Sequence, residues 1–188
     1  MGKVIVTEFI SVDGVIEDPG GSEDFKHGGW SFEFDRGEDG ERFKLEETLN
    51  SDALLLGRKT YEGFAAAWPS REGEFADKFN RMPKYVVSTT LKDPEWSNST
   101  VIGGDLADEV ARLKDSHDGD IYVHGSGMLV NSLLRQDLVD EWHLMLFPVI
   151  LGEGKRLFEG GADLSRLKLT DSRTVGSEGV LVLTYERA

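Results

Sequence analysis

Between residues 53 and 135 the chain alternates short aliphatic or β-branched runs with stretches of helical periodicity, and this alternation restricts the fold more than any other feature. Two strands running the same way need a crossover between them, so repeated strand–helix units imply a parallel sheet with helices on its faces. Residues 53–56, 84–88, 100–102 and 121–124 read as the strands. A helix is expected over 39–50. In the next one, Tyr61, Phe64, Ala65 and Trp68 follow the i, i+3, i+4, i+7 spacing of one buried face and Pro69 ends it. Asp105 is placed as the N-cap of a helix that turns Leu106, Val110 and Leu113 inward, and Gly119-Asp120 breaks it. Residues 126–135 predict a further helix with Leu129, Val130, Leu133 and Leu134 packed inward. Outside this middle, residues 3–10 alternate as a strand that ends in the turn-like Ser11-Val12-Asp13-Gly14, and the strand-rich tail (138–147, 167–175, 179–186) predicts an antiparallel edge. The expected architecture is a single domain over 1–188, three-layer α/β/α, with a mixed, mostly parallel sheet and antiparallel C-terminal strands.

Composition narrows the function. A formal charge of -14 repels phosphate backbones and anionic lipid, which argues against nucleic-acid and membrane partners. With no Cys there are no disulfides, thiolate metal sites or Cys nucleophiles. The beginning of the chain, with Glu8 among its first apolar residues and no small-residue cleavage site, does not read as a signal peptide, and no apolar run reaches the roughly 18 residues of a membrane span. A cytoplasmic protein is expected. His27, His117, His124 and His143 never pair at i, i+3 or i+4 spacing, so no metal site is expected, and ordinary hydrogen-bonded roles are expected of His124 and His143. A Gly-x-Ser-x-Gly elbow and a Walker A loop are both absent, which disfavours hydrolysis of esters and of triphosphates.

In an open parallel sheet ligands bind beyond the carboxyl ends of the strands, where helix N-termini offer free N–H groups. Three such ends carry glycine or hydroxyl residues: Gly57-Arg58-Lys59-Thr60, Ser88-Thr89-Thr90 and Gly125-Ser126-Gly127. Glycine admits close backbone approach, the hydroxyls reach phosphate oxygens and Arg58 offers a planar fork, so together they read as a split phosphate cradle. Arg81, Lys84 and Lys92 add local positive charge. The excursion from Glu17 to Asp39 carries Trp30, Phe32 and Phe34; Trp30, following Gly28-Gly29, is the expected ligand contact, and the two phenylalanines are expected to cover the edge of the core. Lys155 and Arg156, after Gly152-Glu153-Gly154, are candidates for a substrate phosphate. The strand from Val139 to Phe147 is apolar on both faces, which suggests burial beyond the monomer.

The order of these segments, including Tyr85-Val86-Val87-Ser88, Ile121-Tyr122-Val123-His124-Gly125-Ser126-Gly127, Asp140-Glu141-Trp142-His143-Leu144 and Pro148-Val149-Ile150-Leu151-Gly152-Glu153-Gly154, resembles the dihydrofolate-reductase-like superfamily over nearly the whole chain. Within it the chain is most similar to the reductase domain of bifunctional riboflavin-biosynthesis deaminase/reductases and its stand-alone relatives. The resemblance implies an NADPH-dependent reductase of a pteridine-like or aminopyrimidine-type heterocycle, acting as a homodimer. It implies that Gly57, Arg58 and Thr60 hold the pyrophosphate or adenosine side, that Ser88 and Thr89 face the ribose phosphate, and that Gly125, Ser126 and Gly127, with Met128 beside them, lie along the pyrophosphate and nicotinamide. Asp13 is then the catalytic candidate, orienting substrate or relaying a proton, and Gly14 and Trp30 face the substrate. Two alternatives remain: a non-catalytic nucleotide or antifolate binder on the same fold, and dihydrofolate reductase proper. The latter is disfavoured because Glu41, Glu46 and Glu47 are each expected to be solvated residues of the first helix rather than the helix carboxylate of that enzyme.

Overall fold

The computed structural model describes residues 2–160 and 163–188. Its eight strands form one sheet in the order β4-β3-β2-β5-β1-β6-β8-β7. The strands are β1 (Val4–Ser11), β2 (Ser51–Gly57), β3 (Lys84–Val87), β4 (Ser99–Ile102), β5 (Asp120–His124), β6 (Glu141–Phe147), β7 (Leu167–Val175) and β8 (Val180–Arg187). From β4 to β6 all neighbours pair parallel, and β8 runs antiparallel to both β6 and β7. The mixed sheet with an antiparallel C-terminal edge is the expected one.

Five helices cover it: α1 (Gly37–Asn50), α2 (Arg58–Ala67), α3 (Glu74–Arg81), α4 (Leu106–Ser116) and α5 (Gly127–Arg135). Alternation along the strands sorts their side chains to two faces. Val6, Leu55, Val123 and Leu144 pack against Val110 and Leu113 of α4 and Leu129 and Leu133 of α5. On the opposite face Leu54, Leu56 and Tyr122 meet Tyr61 of α2 and Phe79 of α3, while Phe43 of α1 joins Met145, Phe147 and Val182. Asp105 caps α4 as expected, its carboxylate accepting from Ala107 N and Asp108 N at 3.0 and 3.2 Å.

Two expectations change. Helix α3 has no counterpart in the sequence reading, because only Ala76 and Phe79 of its eight residues are buried and two positions do not establish a period. The expected strand over 138–147 begins only at Glu141, after Leu138 N closes the end of α5 on Leu133 O at 3.0 Å. Its two apolar faces need no second copy of the chain: β6 lies between β1 and β8, with Trp142 and Leu144 in one core cluster and Met145 and Phe147 in another.

The site follows from this winding. After β2 the chain leaves on the α2 face, and after the adjacent β5 it leaves on the α5 face. The two helix N-termini flank adjacent strand ends from opposite faces, and this topological crevice is the position at which open α/β sheets bind ligands.

Candidate active site

The crevice is built by close contacts that only small residues permit. Gly57 ends β2 against Ser126, where a Cβ on Gly57 would lie 2.0 Å from Ser126 Oγ. Gly125 has φ +67° and backs onto Thr60, whose Oγ1 would lie 3.2 Å from a Cβ there. Gly103, just beyond β4, lies against Ser88 O. Ser126, the N-cap of α5, is itself left-handed at φ 65°, ψ 76°, an uncommon state for a residue with a side chain and one that collects at ligand-binding turns. Neither α2 nor α5 has an acidic residue in its first turn, so both positive helix ends stay open to an anion.

The structure therefore brings Gly57, Arg58, Thr60, Gly125, Ser126 and Gly127 together at one end of the sheet. Arg58 is the first residue of α2, half-exposed, with Nη1 3.1 Å from Glu62 Oε1, an exposed i,i+4 pair that a phosphate can displace. Thr89 lies exposed beyond β3. Ser88 is corrected: its Oγ accepts from Thr90 N and Leu91 N at 3.2 and 2.9 Å, which turns the hydroxyl back onto its own loop. Met128 is 83% exposed and does not wall the crevice. Lys84 is not a phosphate ligand either, because its buried Nζ donates to Asn80 O, Met82 O and Ser97 O at 2.8 to 2.9 Å and sits over Trp96.

Asp13 is a fastening rather than a proton donor. Its Oδ1 accepts from Ser11 Oγ at 2.7 Å and from Leu151 N at 3.1 Å, and its Oδ2 accepts from Gly152 N at 2.9 Å. Partial burial opposes ionisation, but these three donors outweigh it and hold the carboxyl down at about 2. Arg156 Nε donates to Asp13 O and Lys155 pairs with Glu17, so both cations of the 152–156 loop serve the same clasp. Gly14, at φ +83°, completes the turn, with open space where a side chain would stand.

The expectations for Trp30 and Phe32 invert. Trp30 is 4% exposed, donates its indole N–H to Glu17 O at 2.8 Å and packs edge-on against Phe147. It is core, because its ring buries more apolar area than either phenylalanine and its N–H finds a partner. Phe32, 71% exposed, lines an open groove of about 1050 Å³ with Leu45 of α1 and Phe75 of α3, while Phe34, which also borders that groove, packs edge-on against Phe147 at the edge of the core as expected.

Glu8 lay outside the sequence reading, and Glu47, expected to be a solvated residue of the first helix, is corrected: it is 3% exposed, turned onto the sheet by its partners Lys44 and His143. Glu8, 6% exposed on the α5 face of β1, has no hydrogen-bond partner for Oε1; burial pushes its carboxyl up to about 8, against the pull of Lys44 and the Gly125 backbone. Burial thus favours its protonated form. On the opposite face His143 is hydrogen-bonded as expected, Nδ1 to Glu47 Oε1 at 2.6 Å and Nε2 to Glu141 Oε1 at 2.7 Å. Lys44 Nζ reaches Glu47 Oε2 and Thr7 Oγ1 at 2.5 and 2.7 Å. Burial works against both charges, yet Lys44 and His143 hold Glu47 down at about 2, and the two carboxylates raise the His143 ring above its ordinary value. His124, expected to be hydrogen-bonded, is corrected: Nε2 is buried without a partner, and burial followed by the nearby Lys44 charge lowers the ring to about 3, so it stays neutral.

The crevice suits a dinucleotide: two free helix N-termini, glycines that let the backbone approach, and one arginine fork at the rim. Among the described residues no cluster of three or more His, Asp or Glu could hold a metal ion, and no helix is long and apolar enough to cross a membrane.

Comparison with known proteins places the fold and the family. The uncharacterized protein YyaP of Bacillus subtilis (strain 168) is 30% identical over 190 residues, covering 97% of this chain and 94% of that protein. The crystal structure of a putative riboflavin biosynthesis protein from Shewanella sp. PV-4 superposes with a TM-score of 0.77 at 23% identity, over 99% of each chain. Dihydrofolate reductase from Enterococcus faecalis, in complex with NADP(H) and RAB-propyl, superposes with a TM-score of 0.64 at 17% identity, covering 99% of this chain and 96% of that one. The fold is thus dihydrofolate-reductase-like. The family model for the RibD C-terminal domain matches residues 2–181, and the chain belongs to that family of reductase-type domains.

Proposed function

We propose that the chain is an NADPH-dependent reductase of a pteridine-like or aminopyrimidine-type heterocycle. The observation that carries this reading is the mutual approach of Gly57 to Ser126 and of Gly125 to Thr60, which joins two helix N-termini into one anion-binding crevice that a side chain at either glycine would close. When bound there, a dihydronicotinamide supplies hydride, and the protein's part is to bind, orient and exclude water. Arg58 and the N-termini of α2 and α5 would hold the pyrophosphate, and Gly125 and Gly127 would let the coenzyme approach the backbone. The Asp13 clasp keeps the 151–156 loop closed on the Ser11 turn as the adjoining wall. The groove between α1 and α3, with Phe32, Phe34 and Phe75 on its sides, offers the apolar walls a flat heterocycle needs.

The test mixes the purified protein with NADPH and a panel of dihydropteridines, dihydrofolate and riboflavin-pathway pyrimidines. Loss of reduced-nicotinamide absorbance with one of them is expected. Thermal stabilisation by NADPH with no turnover across the panel would replace the reductase with a nucleotide-binding protein.

A further inference from the structure

The buried charges under α1 form an unbroken file. Lys3 Nζ, with its side chain 49% exposed at the start of β1, donates to Glu141 Oε2 at 2.7 Å. Glu141 Oε1 meets His143 Nε2 at 2.7 Å, His143 Nδ1 meets Glu47 Oε1 at 2.6 Å, and Glu47 Oε2 meets Lys44 Nζ. Lys44 then donates to Thr7 Oγ1. Thr7 pairs in register with His124, the residue immediately before Gly125. The file therefore begins in solvent at the amino end of the sheet and ends beside the glycine loop of the crevice. At that inner end one Lys44 N–H has no partner among the described residues, Nζ lies 5.4 Å from the Phe9 ring, and the neighbouring His124 Nε2 is buried and unpartnered.

Five charged groups buried or half-buried in line are costly, and a core of apolar residues would hold this helix to the sheet as well. Each member both gives and accepts a proton or sits between two that do. Resting on the reductase reading, we propose that this file is a proton relay that recharges Lys44, and that Lys44 is the acid that protonates the substrate nitrogen. Reduction of a C=N bond adds hydride at carbon, sends the π pair to nitrogen and needs one proton there. Lys44 gives that proton. It regains one through Glu47 from His143, His143 recovers its own through Glu141 from Lys3, and Lys3 reloads from water, so one proton enters for each one used. The relay delivers it from the amino end of the sheet while cofactor and substrate close the crevice. Titratable groups facing His143 are Glu47 and Lys44 of α1, Tyr122 of β5 and Glu141 on its own strand; Glu186 of β8 faces Lys3.

The test uses His143→Gln, which keeps hydrogen-bonding ends but cannot carry a proton, and Glu141→Gln at the half-exposed entrance as the variant least disturbing to folding. Expected for both is a kcat at least ~10-fold below wild type, since general-acid catalysis contributes about 10²–10⁴-fold, with NADPH affinity within about twofold. The solvent deuterium isotope effect on kcat should rise while the effect of deuterating the transferred hydride falls, a signature that a merely structural loss does not produce. In the ligand-free protein, nitrogen NMR should find the His143 ring titrating at lower pH in Glu141→Gln than in wild type, because Glu141 is one of the two carboxylates that raise it. A kcat within about twofold of wild type, unchanged isotope effects, or a His143 ring that titrates at the same pH in wild type and Glu141→Gln overturns the relay and leaves the reductase reading standing. A wild-type protein that binds NADPH but oxidises it with none of the panel overturns both.

Discussion

Replacing Glu8 by Gln tests the buried carboxyl directly. The side chain lies among Val6, Ile10 and Leu144 on the α5 face of β1, with Oε1 unpartnered. Burial lifts its pKa from 4.5 to about 8, so the folded protein keeps the proton over a range in which the unfolded chain has released it. For an acid with a raised folded-state pKa, stability is highest below pH 4.5 and falls until pH 8, where the folded form also ionises. At about 1.36 kcal/mol per pKa unit the ceiling on that fall is about 5 kcal/mol, and relaxation and water entry around an ionised site reduce it to roughly half. Gln has the same shape and does not titrate. Urea unfolding of both proteins, followed by tryptophan fluorescence between pH 5 and 8.5, should show Glu8→Gln gaining at least about 2 kcal/mol on wild type from the acid end to the alkaline end. Other titrations cancel in the difference. Parallel stability curves would refute the claim that Glu8 is held neutral in the fold.

Asp13→Asn should remove part of the stability that wild type loses on the acid side, between pH 4 and 2, because the depressed pKa makes the clasp a contribution that exists only while the carboxylate is ionised; acid unfolding midpoints of the two proteins measure it. Trp30→Ala should cost about 3–5 kcal/mol in urea unfolding, the range for a large aromatic removed from a core. Phe32→Ala should leave stability within about 0.5 kcal/mol and raise the KM of whichever heterocycle is reduced, since its ring stands in the groove and not in the core. Equal effects of the two substitutions would undo that assignment.

How much was readable in advance depended on whether the information was local. The α2 face of Tyr61 and Phe64, the Asp105 cap and the two closing strands are set by neighbours within a turn or a pleat, and they stand where spacing put them. The three strand ends could be named because glycine and hydroxyl residues after aliphatic runs have a topological meaning in parallel sheets. Which of Trp30 and Phe32 goes inward is decided by Phe147, more than a hundred residues away, and no local pattern carries that. Glu8 did leave a signal: strand alternation puts it on the same face as Val4, Val6 and Ile10, where a carboxyl has no reason to be unless it is neutral or paired. The Lys44–Glu47 pair is visible at i,i+3, but its continuation to His143 spans 96 residues and exists only once β6 lies beside β1. Lys84 looked like one more surface cation because three carbonyls from the α3 end and the loop before β4 converge on it only in the fold.

Isothermal titration of NADPH into the protein, with Arg58→Ala and Gly125→Ala beside it, bears most directly on whether the joined helix N-termini form a coenzyme crevice. Saturable 1:1 heat is expected for wild type, weakened by about 1–3 kcal/mol in Arg58→Ala through loss of a charge-assisted hydrogen bond. Gly125→Ala should weaken binding further, because φ +67° and the Thr60 contact both resist a methyl group. Absence of heat with NADPH and with NADH, or wild-type affinity in both variants, would contradict the account.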